Sequence, residues 1–387
     1  MSANPDVLIV AQSGRMLAAS AQRGGLKSYV IDLFGDDDTR TFAEGLVTVS
    51  DLTPAQVTNA CRRLACKPDR TVLVYASGVE HQPRLIALLS RQYPLSGNFL
   101  PALRMATDPR RFFPLLRRLA IRHPETRTER PIEVTNWLVK VPCSEGGKGV
   151  AFCANFRRTP AGAYYQRLQP GTPCSLLFVA DGRRVRPIGF NTLWHDSADC
   201  ALPFRFAGAA NGADLGRLQR AEMVEAATKL TAALKLRGIN GLDFIADRHG
   251  VWLLELNPRP SATLQLHDGD WEDGLLRCHI DPDATASAPP RAVVKPLPLR
   301  AFRTVFAPYD LRIPDAMNWP QGCSDLPAPN SCIARQAPIC TLRAQAERKD
   351  EVLHQLQRQE AELLGRLVPA DGTLAGIRAN RHLSTRP

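Results

Sequence analysis

The 387 residues carry 49 lysines and arginines against 38 acids, a formal charge of +11, with 44% hydrophobic and 22% charged residues. Such a composition excludes a disordered or low-complexity chain, and the length predicts two or three structural units around separate cores. No apolar run approaches the ~20 residues of a membrane helix. The opening MSANPDVLIVAQ lacks the basic start and apolar core of a secretory signal, so the expected location is the cytoplasm. None of the ten cysteines forms a Cys-x-x-Cys pair, which argues for reduced thiols rather than a structural zinc site. The excess arginine suits anionic small-molecule substrates. It also leaves open a basic nucleic-acid-binding protein, although aromatics at 6% do not interleave with the basic runs and form no stacking platform.

In chain order, the first hundred residues alternate strand and helix. Val7–Ala11, Tyr29–Leu33 and Thr71–Ala76 read as apolar strands, and Met16–Gln22 and Thr53–Leu64 as helices. That is a parallel α/β unit, whose ligand crevice lies beyond the strand C-termini. The loop Gln12–Arg15 is accordingly a candidate site. A helix follows over Arg110–Ile121, then a strand at Trp137–Val141 that runs into Pro142-Cys-Ser-Glu-Gly-Gly-Lys-Gly149. Glycines there let backbone N–H groups approach phosphate oxygens, and Lys140 and Lys148 add charge. The loop is not a Walker A sequence, and a solvated hairpin tip is its plainer alternative. Tyr164–Leu168 and Ser175–Ala180 are strands on either side of Pro170-Gly-Thr-Pro173, a connector suited to a flat base, or else a plain sheet edge. A long helix is expected over Leu218–Leu236. Residues 283–299, rich in proline and alanine, read as a linker. Ala344–Leu367 reads as a polar helix, followed by a basic, mobile tail.

The stretch Gly241-Leu-Asp-Phe-Ile-Ala-Asp-Arg-His-Gly-Val-Trp-Leu-Leu-Glu-Leu-Asn257 is the most informative. A three-residue turn at Arg248-His249-Gly250 would pair Asp247 with Val251, Ile245 with Leu253 and Asp243 with Glu255. The alternation of side chains then puts Asp243, Glu255 and Asn257 on one face and turns Leu254 and Leu256 toward a core. A bulge would shift that register by one residue. Carboxylates directly opposite repel, and a divalent cation with a preference for hard oxygen ligands removes the conflict. An exposed acidic pair on a solvated face is the alternative.

Taken together and in order, these segments resemble the ATP-grasp superfamily over roughly residues 105–265. The resemblance implies an α/β and α+β fold: an N-terminal Rossmann-like pre-ATP-grasp domain over 1–105, then a two-part ATP-grasp domain over 106–285. A C-terminal segment, 286–342, would pack on that core, and 343–387 would form a helix and basic tail. It implies ATP as cofactor, with its phosphates met by Lys140, Ser144, Gly146, Gly147, Lys148 and Gly149 and its adenine by Gln166, Arg167, Leu168 and Gln169. Magnesium, or manganese in its stead, would be held by Asp243, Glu255 and Asn257. Arg259 and Lys140 are the implied catalytic residues. Ser13, Gly14, Arg15, Arg259 and Ser261 are candidates for the substrate. Two departures stand out: Asp108-Pro-Arg110 replaces an upstream lysine, which points to Arg110 or Arg111, and Pro173 replaces an acid for the ribose.

A narrower likeness rests on Ser13-Gly-Arg-Met-Leu-Ala-Ala-Ser, Asp32-Leu-Phe-Gly-Asp-Asp-Asp-Thr39, Leu254-Glu-Leu-Asn-Pro-Arg-Pro-Ser-Ala-Thr263, Cys323-Ser-Asp-Leu-Pro-Ala-Pro and Ala337-Pro-Ile-Cys340. These are similar to ATP-dependent carboligases that include tyramine–glutamate ligases of methanofuran-type cofactor biosynthesis. The implied reaction phosphorylates a carboxylate, such as the glutamate γ-carboxyl, and lets an amine such as tyramine or tyrosine displace the phosphate. Partners would be small molecules, without a membrane, and a homo-oligomer stays open. A carboxylase or kinase on the same fold is the main rival, and an interaction protein with a dead nucleotide site is another. His195 could contact substrate but has no visible partner, His267-Asp268 reads equally as a general base or a capped turn, and no nucleophile triad can be assembled from spacing.

Overall fold

The computed structural model describes residues 4–64, 66–156, 158–196, 202–287, 298–367 and 369. The expected basic tail, Arg157 and residues 288–297 of the proline-rich stretch lie outside the described residues. Strands β1 (Asp6–Val10), β2 (Ser28–Asp32), β3 (Gly45–Thr48) and β4 (Thr71–Tyr75) form a parallel sheet in the order β3-β2-β1-β4. β1 is buried at every position, as a strand covered on both faces must be. The helix Arg15–Arg23 packs Leu17, Ala18 and Ala21 against Val7, Ile9 and Val30. The next long helix, Pro54–Arg63, starts where its sequence asks, with Pro54 in its first turn and Thr53 accepting the Gln56 N–H at 3.4 Å. The chain leaves β1 for one side of the sheet and returns in β4 on the other. The loops after these two strands therefore open onto one crevice.

Strands β5 (Thr126–Arg127), β6 (Trp137–Lys140), β7 (Val150–Phe152) and β8 (Tyr164–Arg167) make a small antiparallel sheet in the order β5-β8-β6-β7. It has its own core of Trp137, Val139, Cys153 and Tyr165. The large sheet takes β9 (Thr172–Asp181), β10 (Val185–His195), β11 (Phe206–Asn211), β12 (Arg237–Asp247), β13 (Gly250–Asn257) and β14 (Leu299–Phe306). Of the remaining strands, β15 (Leu311–Arg312) and β17 (Cys332–Ile333) pair with each other, while β16 (Cys323–Ser324) and β18 (Pro338–Ala346) complete the large sheet. Its order is β13-β12-β9-β10-β11-β14-β18-β16. The helix Arg217–Leu234 lays Met223, Ala227 and Leu230 over Phe178, Leu242 and Leu253. Each large side chain so buried stabilises the fold by roughly 1.5–3 kcal/mol. Among the described residues no helix is long and apolar enough to cross a membrane.

Three sequence expectations change. The stretch read as a linker from residue 283 begins inside a short helix, Pro282–Ser287. Residues 344–346 are not the start of a helix: Ala344 pairs with Ala301 and Ala346 with Leu299, and the helix begins only at Lys349. Ala and Gln favour helix locally, but Arg343 and Gln345 are exposed around a buried Ala344, a two-residue period that tertiary pairing selects. The acidic hairpin at residues 241–257 also turns differently. Its loop has two residues, because Asp247 Oδ1 accepts the His249 N–H at 2.7 Å and Asp247 pairs directly with Gly250. That shifts Ile245 onto Trp252 and Phe244 onto Leu253; a bulge between Asp243 and Phe244 then restores Asp243 opposite Glu255. Leu256 is buried as expected, whereas Leu254, the extra residue of the bulge, is only half-buried.

Candidate active site

Three surfaces meet at one cleft. The β12–β13 ribbon presents Asp243, Glu255 and Asn257. The Asn257 Nδ2 donates to Asp243 Oδ2 at 3.0 Å and lies 3.4 Å from Glu255 Oε1. Burial and the neighbouring Glu255 charge push the Asp243 carboxyl well above the usual carboxylate range. Glu255 goes the other way: burial would raise it, but Lys140, Asp243 and Asn257 hold it low. Crowded carboxylates split in this way, one raised and the other held low. Two carboxylates, joined by the Asn257 amide oxygen when that side chain turns over, form a hard oxygen donor set that fits magnesium.

The small sheet supplies the opposing charge. Lys140 is 9% exposed at the end of β6, and its Nζ donates to Gln166 Oε1 at 3.3 Å. Burial alone would lower this ammonium, but Tyr164, Glu255 and Asp243 outweigh it and raise it. Gln166 is anchored on the far side by Thr126, at 3.2 Å. The next residue alternates outward, so Arg167 stacks on Trp137 instead of entering the cleft. The Leu168 N–H bonds Asn136 O at 2.8 Å, and Gln169 Nε2 donates to Asp247 Oδ2 at 2.9 Å. The connector therefore ties the small sheet to the ribbon tip.

The loop between β6 and β7 folds over the cleft. Gly146 and Gly147 have φ of +58° and +73°, a region that side chains disfavour. A Cβ on Gly147 would stand 1.8 Å from the Phe204 carbonyl oxygen, and the Phe206 N–H bonds Gly146 O at 2.9 Å. Ser144 Oγ donates to Val141 O at 2.7 Å, Gly149 O accepts from the Val141 N–H at 2.9 Å, and Lys148 is exposed.

Arg259, just beyond the ribbon, is little exposed and its Nε donates to Glu80 Oε1. Glu80 and His81 come from the loop after β4, and Glu145 of the glycine loop approaches the same spot. Burial and the Glu80 charge raise the Glu145 carboxyl to about 7. The sequence reading missed Glu80, His81 and Glu145. Only the position of Ser77-Gly-Val-Glu80 beyond a parallel strand could have flagged the first two. Ser13 and Arg15 are engaged elsewhere: Ser13 Oγ donates to Asp325 at 3.3 Å, and Arg15 binds Asp325 at 3.0 Å and Gln265 at 3.2 Å. The Gly14 N–H bonds Asp32 Oδ2 at 3.1 Å, and Ser261 Oγ lies 2.9 Å from Thr263 Oγ1. Of the arginines weighed for the missing lysine, Arg111 pairs with Asp108 at 3.2 Å and Arg110 is exposed.

The fold is the mixed α/β ATP-grasp fold, and residues 106–263 match the family model described as an ATP-grasp domain. Solved structures agree across almost the whole chain. Biotin carboxylase from Campylobacter jejuni, in a β,γ-ATP complex, is 12% identical, with 94% of this chain and 92% of that one covered at a TM-score of 0.71. N5-carboxyaminoimidazole synthetase from Staphylococcus aureus, complexed with ADP, is 13% identical, with coverage of 93% and 98% at a TM-score of 0.67. The biotin carboxylase domain of the Hydrogenobacter thermophilus 2-oxoglutarate carboxylase, complexed with MgADP, ADP and bicarbonate, is 11% identical, with coverage of 92% and 90% at 0.70. At such identities the likeness is one of fold. No curated protein sequence matches the chain.

Proposed function

We propose that the protein is an ATP-dependent ligase that activates a carboxylate as its acyl-phosphate and joins it to an amine, releasing ADP and phosphate. The observation that carries this reading is the cleft where Asp243, Glu255 and Asn257 face buried Lys140 beneath a glycine-rich flap. Asp243, Glu255 and Asn257 would hold magnesium, or manganese, which offsets the charge of bound phosphates. Lys140 and Arg259 would offset charge on the transferred phosphoryl group. Ser144, Gly146, Gly147, Lys148 and Gly149 would cover it and exclude water that would hydrolyse the intermediate. Gln166, Arg167, Leu168 and Gln169 form the connector expected to meet adenine, with Gln166 doubling as a positioner of Lys140. Ser13, Gly14, Arg15 and Ser261 remain proposed substrate contacts. The named acid and amine, glutamate and tyramine or tyrosine, rest on the sequence likeness alone.

A carboxylase using bicarbonate is the second reading, favoured by the carboxylases among the similar structures. Calorimetry with MgADP tests the nucleotide site first; no heat of binding would end both readings. ADP release is then followed with glutamate, with bicarbonate, and with each plus tyramine or tyrosine. Turnover with an acid that rises on adding an amine supports the ligase, whereas turnover with bicarbonate and no amine replaces it.

A further inference from the structure

Glu80 is 5% exposed, and only one of its carboxylate oxygens is used: Oε1 accepts from Arg259, while buried Oε2 has no partner. Two more buried atoms beside it are also without a partner, His81 Nδ1 and Glu145 Oε2. Metal-ligating atoms of these three residues lie within 4.8 Å of one another. Burial lowers the His81 imidazole, which favours the neutral ring with one nitrogen lone pair to offer and one N–H. The fold thus gathers three side chains with unpartnered acceptor atoms in one buried neighbourhood, with His81 Nε2 4.0 Å from Glu80 Oε1, an arrangement that suits an occupant rich in N–H or charge.

We propose that Glu80, His81 and Glu145 form the pocket for the primary ammonium group of the amine substrate, a proposal that rests on the carboxylate–amine reading above. Charge selects this occupant over a divalent cation. With Glu145 ionised, the form that a bound ammonium favours over its raised value of about 7, the two carboxylates and Arg259 sum to a single negative charge, which one ammonium cancels and a divalent ion would overshoot beside an arginine. Geometry agrees. A primary ammonium has three N–H donors, one for each acceptor, and hydrogen bonds of about 2.8 Å at tetrahedral angles put their acceptors roughly 4.6 Å apart, a triangle that the observed span admits. Position agrees too, because Glu80 holds Arg259, and an amine seated on Glu80 is brought beside the phosphoryl-steadying arginine. Glu145 rides on the flap that folds over the cleft, so the flap itself completes the pocket.

The test uses the full-length protein with n-butylamine, tyramine and 1,4-diaminobutane as probes, and n-butanol and 4-ethylphenol as amine-free controls, titrated by calorimetry in the presence of MgADP. At least one amine is expected to bind, with its amine-free control at least tenfold weaker. Glu145→Gln and His81→Ala are each expected to weaken the amine at least fivefold; Glu145→Gln sits on a surface flap and serves if His81→Ala does not fold. Three results overturn the pocket: no amine binds, binding is indifferent to both substitutions, or the site instead takes up one Mn2+ ion that Glu145→Gln abolishes. MgADP alone is titrated in parallel. If it fails to bind while an amine binds in a Glu145-dependent way, the nucleotide reading falls and the pocket stands.

Discussion

Replacing Asp243 by asparagine should stabilise the protein without nucleotide and remove its response to nucleotide. Asp243 Oδ2 and Glu255 Oε1 lie 3.0 and 3.4 Å from one Asn257 nitrogen, so they are no farther apart than the sum of those distances. At that 6.4 Å limit two unit charges repel by about 2.6 kcal/mol at an effective dielectric of 20, and by more when closer. Glu255 is solvent-exposed on one side, and screening brings the expected value down to about 1–2 kcal/mol. The sign follows from the raised Asp243 carboxyl. A carboxyl with a folded-state pKa above its unfolded value supports the fold at low pH, and that support is lost as pH climbs from the unfolded value through the folded one. Asp243→Asn should thus be more stable than the parent at pH 8 and converge with it near pH 4. Urea denaturation across this range, with and without MgADP, measures both effects. At a MgADP concentration 100 times its Kd, the parent should gain about 2.7 kcal/mol and the variant little. A variant less stable than the parent at pH 8, yet still stabilised by MgADP, would refute the reasoning.

Gly147→Ala should raise the KM for ATP several-fold, because the new Cβ meets the Phe204 carbonyl and the residue sits at positive φ; in urea denaturation the same strain should cost about 1–3 kcal/mol. Asp325→Ala should cost about 3–5 kcal/mol in urea denaturation, since it strips the main partner from Arg15, which is 4% exposed. The flap should loosen with pH. Glu145 lies beside Glu80, and its carboxyl, raised to about 7, is neutral below that value and ionised above it. The closed contact is therefore favoured at low pH and lost as pH rises through about 7. Hydrogen exchange at residues 144–149, corrected for intrinsic rate, should show less protection at pH 8 than at pH 6, and Glu145→Gln should abolish the difference.

The ribbon was legible because its chemistry is local: Asp243, Glu255 and Asn257 lie within fifteen residues of one hairpin. Even so, the expected pairing was reached through the wrong turn. A two-residue loop and a bulge compensate each other, and neither leaves a mark in the alternation of apolar residues. The parallel sheet was equally legible, since buried strands such as DVLIV are apolar runs between turn residues. The meeting of Glu80, His81 and Glu145 was not, because it joins the end of β4 to a flap sixty-odd residues later and depends on how two units dock. The engagement of Arg15 by Asp325 spans 310 positions and left no local pattern either. Ala344 shows a third kind of failure, where a sequence content to be helical is recruited as a strand by its neighbour β14.

The bulge in the β12–β13 ribbon separates the phase of its tip from the phase of its base. Between Phe244 and Asp247 the strands keep the register imposed by the Arg248-His249 turn; from Asp243 and Glu255 onward they keep the one the cleft requires. A residue added to or removed from the tip can be absorbed at that joint instead of rotating both acids to the wrong face. The ribbon end that touches Gln169 is thus open to redesign for a different lip to the cleft, while the acid pair stays where the chemistry needs it.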